Sequence, residues 1–205
     1  MTQIVKTVFL LASLCVGLHS TLAQKRGFQH GYIIEKSGDT LKGYIKDRSP
    51  EPFVSLFKKV RFIKEGSRRT RKYGPEAILG YGDENDDYVA IPFREEVQFL
   101  KFRYYSDAFA PMTFLRVIRR SEELIYYEQQ FVQDDNNYLN TVPFFHKPSS
   151  KQMVRVTQGL FGFRKKHIVE YFSQCPALIQ AVNQKNPEIQ SVMDLYEFCL
   201  ENCAF

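Results

Sequence analysis

The sequence predicts an α+β protein: a mostly antiparallel β meander, roll or small barrel over residues 24–158, then about three short helices over 159–205. Three observations carry this expectation. Short strand-like runs recur roughly every 10 to 15 residues with turn chemistry between them. Aromatics make up 15% of the chain, with 18 Phe, 12 Tyr and no Trp, and aromatic side chains favour strands. After Gly159 the apolar spacing changes from a strand period to a helical one.

The first 23 residues form a separate unit. Lys6 precedes an apolar run from Val8 to Leu18, and a short polar stretch then ends in Leu22-Ala23. Thr21 and Ala23 are small enough for signal peptidase, which places cleavage between Ala23 and Gln24. The run is too short for a stable membrane anchor, which needs ~20 residues. Cys15 follows Leu14, where a lipoprotein signal has a small side chain. Removing 23 residues from 205 leaves 182, enough for one domain with a helical appendage. Only Lys6 of the 28 basic residues is lost, leaving 27 against 23 acidic ones, a formal charge of +4. That excess is too small to imply nucleic acid, and no later apolar run reaches membrane-spanning length.

The mature chain opens on a hairpin. Gly31–Lys36 and Thr40–Lys46 flank Ser37-Gly38-Asp39, where Gly38 supplies the positive φ a tight turn needs. Lys59–Ile63 pairs with Arg69–Tyr73 around Glu65-Gly66-Ser67. Short strands follow at Ala77–Tyr81, Tyr88–Ile91 and Val97–Tyr105. Thr113–Arg119 turns into Leu124–Gln129, and Thr141–His146 pairs with Met153–Thr157. From about Gly162, Ile168, Tyr171, Phe172 and Cys175 fall on one helical face. Pro176 starts a second helix, since proline suits a first helical position. Asn186-Pro187-Glu188 is expected to open a third, with Asn186 as its cap.

Cys175, Cys199 and Cys203 all lie in the helical tail. In an oxidising compartment Cys175 is expected to bridge Cys199 or Cys203, tying the second helix to the third. The i, i+4 pair Cys199 and Cys203 has poor bonding geometry on a regular helix. The competing reading is three small buried hydrophobes.

Known catalytic patterns are missing. The chain has no GxSxG elbow, no HExxH and no phosphate-cradling glycine loop. His167 stands ~12 Å before Cys175 on a helix, too far to activate it directly. His30 and His146 have no carboxylate partner close in sequence. Asp83, Asn85 and Asp87 alternate as calcium ligands do, but Tyr88 and Arg94 occupy the positions of the required Gly and Glu. Those residues, and Asp134-Asp-Asn-Asn137, read as polar loop tips. No cofactor and no metal site is predicted.

The densest charge lies in residues 58–72, where eight cations accompany Glu65 alone. Lys59, Arg61, Arg68, Arg69, Arg71 and Lys72 are the candidate interaction face for an anionic partner: a protein, a lipid headgroup or lipopolysaccharide. Against this stands a solvated edge hairpin whose charges deter aggregation.

Several segments together resemble a group of small exported proteins of Bacteroidota-type bacteria to which no activity is attached. They are Gly31-Tyr-Ile-Ile with Gly38-Asp39-Thr-Leu-Lys-Gly43-Tyr-Ile, Arg71-Lys-Tyr-Gly-Pro-Glu-Ala-Ile-Leu-Gly80-Tyr, Phe114-Leu-Arg-Val-Ile with Leu124-Ile-Tyr-Tyr, and Tyr171-Phe-Ser-Gln-Cys-Pro-Ala-Leu. The resemblance implies a diderm envelope, hence periplasm or cell surface. The leading expectation is a non-enzymatic envelope protein that contacts a macromolecule or a membrane surface. Two alternatives stand beside it. One is a lipid or glycan carrier lined by Tyr104, Tyr105, Tyr126 or Tyr127, of which each adjacent pair can offer only one ring. The other is an envelope hydrolase without a recognisable motif. If the leader is read correctly, N-terminal sequencing of protein recovered from exporting cells will begin at Gln24; retention of Met1 would refute the cleavage site.

Overall fold

The computed structural model describes residues 26–48, 59–99, 101–132, 139–158 and 162–205. The leader, the Pro50–Pro52 break and the Asp134–Asn137 loop lie outside them. The described residues form an α+β fold, mostly β: one twelve-stranded antiparallel sheet followed by three helices. The strands are β1 (Gln29–Glu35), β2 (Thr40–Lys46), β3 (Val60–Lys64), β4 (Arg71–Tyr73), β5 (Ile78–Asp83), β6 (Asp87–Pro92), β7 (Arg94–Gln98), β8 (Lys101–Tyr105), β9 (Met112–Arg120), β10 (Ile125–Val132), β11 (Leu139–His146) and β12 (Gln152–Arg155). The helices are α1 (Lys165–Tyr171), α2 (Pro176–Gln184) and α3 (Val192–Asn202).

The sheet order is β4-β3-β2-β1-β5-β6-β9-β10-β11-β12-β8-β7, so β4 and β7 are free edges and the sheet does not close. Of the forms the strand pattern allowed, the barrel is the one not adopted. Both edges are short and charged, with Arg71 and Lys72 on one and Arg94, Glu95 and Glu96 on the other. Such edges resist pairing with another strand.

Neighbouring residues on the central strands serve opposite cores, as period-two alternation dictates. Phe144 joins Phe93, Tyr104, Leu115, Tyr127 and Met153 on one face. Phe145 joins Tyr126, Val154, Ile168, Phe172, Leu178 and Tyr196 on the other, beneath the helices. A third cluster, built around Ile33, Ile45, Phe62, Tyr81, Tyr88 and Phe114, fills the first half of the sheet. Its strands approach closely at the paired glycines Gly31 and Gly43. A Cβ on Gly43 would lie 2.1 Å from the Ile63 carbonyl oxygen, so only glycine fits there.

Two segments depart from expectation. Residues 97–105 form a hairpin rather than one strand. The ladder runs from Arg94↔Tyr105 to Gln98↔Lys101, and the chain reverses at Phe99, whose φ is 46°. The third helix starts at Val192, not at Asn186-Pro187. Ser191 and Asp194 form a reciprocal capping box, with Ser191 Oγ accepting from Asp194 N and Asp194 Oδ2 accepting from Ser191 N. That satisfies two helix-end donors at once. Asn186 instead closes a turn by accepting from Glu188 N.

The helices are fastened at several points. Tyr196 Oη donates to the Leu124 carbonyl at 3.0 Å. Tyr171 Oη accepts from Lys147 N and donates to the Gln152 carbonyl. Cys175, at the start of α2, and Cys203, just after α3, sit at disulfide distance with their Cα atoms 5.1 Å apart. Cys199 is a buried free thiol pushed up to about 12 by desolvation. Closing a loop of this length stabilises by about 3–4 kcal/mol. Unfolded exported protein will therefore titrate with one free thiol, Cys203→Ala with two and Cys199→Ala with none. Cys175→Ser will lower the urea midpoint, and equal midpoints would show that the bridge does not support the fold.

Candidate functional site: a cationic cleft beside the first helix

The six cations predicted as an interaction face lie at the β4 edge, but they do not converge. Arg61 stands opposite Lys72, whereas Arg71 stands opposite the buried Phe62 and so starts from the inner face. Arg68 and Arg69 occupy the turn between the strands, and Lys59 precedes β3. The charges fan over two faces and a tip, which spreads the like-charge repulsion that direct stacking would concentrate.

A tighter cationic group forms elsewhere. The β8–β12 ladder holds only two residue pairs, Gln152↔Tyr105 and Met153↔Tyr104. Beyond them the chain turns back on itself before α1. Arg164 N donates to the Val156 carbonyl at 2.8 Å, Gln158 N donates to the Gly162 carbonyl, and Thr157 bridges Phe163. Gly162, at φ 77°, makes that turn possible. A cleft of about 160 Å³ lies beyond this short ladder, between β8, β12 and α1.

Lys101, Arg103, Arg155, Arg164, Lys166 and His167 line this cleft with Glu170 as the one acid among them. Arg164 Nη2 lies 3.0 Å from His167 Nε2. A guanidinium only donates, so Nε2 accepts and the imidazole is neutral in this contact. Desolvation lowers the His167 pKa below its ordinary 6.5, and Arg164, Lys166 and Lys101 lower it further while Glu170 opposes them. Arg164 Nε is buried without a protein acceptor. Arg155 is held by donation from Nε to the Thr157 carbonyl at 2.9 Å. Chemically this is a concave set of hydrogen-bond donors under a positive field, suited to phosphate, sulfate or carboxylate oxygens.

A second polar cluster is internal. The Arg48 guanidinium carbon lies 5.2 to 5.9 Å from the ring centroids of Tyr88, Phe114 and Tyr81. Its Nε donates to Tyr81 Oη and its Nη2 to Gln130 Oε1, both at 2.8 Å. Arg116 reaches Asp86 at 3.0 Å and Glu128 at 2.5 Å. These contacts bind the first half of the sheet to β10 and are structural.

The remaining polar candidates each have local partners. Asp83 accepts from the Asn85 and Asp86 amides, Asp86 meets Arg116 and Asp87 meets Tyr32, so the loop carboxylates point to separate groups. His30 packs on Tyr44, and His146 Nε2 lies 2.8 Å from the Ser150 carbonyl. Among the tyrosines, Tyr104 and Tyr127 share one cluster with Phe93 and Phe144, and Tyr126 lies beneath the helices. Among the described residues no group of three or more His, Cys, Asp or Glu side chains could hold a metal ion. No helix there is long and apolar enough to cross a membrane.

No family model, curated protein or solved structure matches the chain. The site therefore rests on its own geometry. Arg164→Gln removes the charge nearest His167, so the imidazole pKa will rise toward its ordinary value in an NMR titration. An unchanged or lower value would contradict the positive field assigned to the cleft.

Proposed function

We propose that this protein is a non-enzymatic module of the bacterial envelope, in periplasm or at the cell surface, that holds an anionic group of its partner in the cleft between β8, β12 and α1. One observation carries the reading: cations from three separate chain segments, 101–103, 155 and 164–166, line a single concavity. Separated like charges repel, and gathering them costs stability unless a counter-charge is present for part of the working cycle. The cations of the β3–β4 hairpin add to the long-range field but form no concavity, and their role in this reading is to attract rather than to seat the anion.

The export reading supports the location, and the pairing of Cys175 with Cys203 fits an oxidising compartment. A catalytic role draws less support, because the one free thiol among the described residues, Cys199, is buried and its high pKa keeps it protonated. Isothermal titration with pyrophosphate tests the site. Wild-type protein will bind, with affinity falling as salt rises, and the double variant Arg103→Glu, Lys166→Glu will lose at least tenfold. The triple variant Arg68→Glu, Arg69→Glu, Arg71→Glu will retain the binding stoichiometry. Loss in the triple variant with retention in the double one would move the site to the hairpin.

A further inference from the structure

We infer that the tip of the β7–β8 hairpin and the cleft beside it form one docking surface for an anionic lipid bilayer, an assignment that rests on the cleft being an anion site. Val97 is 56% exposed, Phe99 101% and Phe102 40%. The other large exposed apolar side chains, such as Leu79, Phe109 and Phe131, stand singly along the described chain. Single exposed hydrophobes are ordinary, whereas a cluster at a projecting tip marks a contact surface. Val97 and Phe102 are direct ladder partners and so share a face, with Phe99 at the apex. The apex residue holds a φ of 46°, a region that side-chain-bearing residues rarely adopt. Glycine or asparagine would suit that turn better, and here a fully exposed ring occupies it.

The charge distribution identifies the occupant. Lys101 and Arg103 alternate with Phe102 along β8 and stand roughly 7 and 13 Å from Phe99 along the strand. Lys166 and Arg164 face them across the cleft. An apolar point with cations set back from it matches the layering of a bilayer, acyl chains beneath headgroup phosphates. Interfacial segments bury their apolar face roughly 5–10 Å into that boundary. Of the acidic side chains nearby, Glu96 lies 3.5 Å from Arg94 and opposite Arg103 in the ladder, Glu170 sits among six basic cleft residues, and exposed Glu95 shares the Val97 face one step further from the apex. A second copy of this chain fits less well. A two-fold contact would set the same cations against themselves, and the charged β7 edge resists strand pairing.

The test uses protein recovered from exporting cells and vesicles of phosphatidylglycerol in phosphatidylcholine, with pyrophosphate titration in parallel. Wild-type protein will co-sediment with the anionic vesicles, more weakly with phosphatidylcholine alone, and less at high salt. Phe99→Asp, at a fully exposed position that leaves folding undisturbed, will weaken vesicle binding tenfold or more while pyrophosphate binding stays unchanged. Lys101→Glu with Arg103→Glu will weaken both, by about fivefold per cation for the vesicles. Far-UV circular dichroism checks that each variant is folded. Pyrophosphate binding without vesicle binding would overturn the bilayer assignment and leave the anion site standing. Equal vesicle binding by Phe99→Asp would remove the tip from the surface. Failure of both ligands, or vesicle binding without pyrophosphate binding, would overturn the cleft reading and this inference with it.

Discussion

Phe144 and Phe145 are adjacent on β11 and point to opposite sides of the same sheet. The central strands must therefore support two cores at once, one among the curled strands and one beneath the helices. The same division recurs at Tyr126 and Tyr127 on β10 and at Met153 and Val154 on β12. A one-residue slip in any of these strands would exchange the two sets and misfit both faces. The helices are consequently part of the domain, because without them Tyr126, Phe145 and Val154 would be a bare apolar surface. The disulfide and the Tyr196 anchor hold that cover in place.

The first half of the sheet is joined to this double-cored centre through polar contacts as much as apolar ones. Arg48 lies over three aromatic rings and spends its hydrogen bonds on Tyr81 and Gln130. Burying a guanidinium is tolerable only when its donors are satisfied and a favourable face is offered to its charge. Tyr81 and Tyr88, stacked with centroids 4.6 Å apart, provide that face. Burial raises the pKa of both hydroxyls, so they remain neutral donors and acceptors through the physiological range.

Local chemistry was legible in the sequence; convergence was not. Gly38 and Gly66 both take positive φ in the turns where their neighbours placed them. Of the expected stripe, Ile168, Phe172 and Cys175 are buried and Tyr171 half-buried, but the first helix covers only Lys165–Tyr171 and Cys175 caps the next one. The third helix was misplaced because Asn186-Pro187 carries a valid start signal, and only the Ser191–Asp194 exchange decides between the two. The hairpin at Phe99 was missed because an aromatic is a poor turn residue. The candidate site was hidden for a different reason. Its cations come from positions 101, 103, 155, 164 and 166, while the conspicuous run at 59–72 is dense in sequence and dispersed in space. Linear charge density measures the first quantity, and ligand recognition depends on the second.

The two-pair junction between β8 and β12 also sets an order of events. A chain synthesised amino end first delivers β7 and β8 some fifty residues before the strand they dock on. Until residues 152 and 153 arrive, the hairpin stands alone, and isolated two-stranded hairpins are marginal in water. Its lysines and arginines keep that waiting segment from pairing with copies of itself on neighbouring chains. The same short junction that borders the cleft thus leaves this hairpin fastened to the sheet by two residue pairs and by the packing of Phe93 and Tyr104.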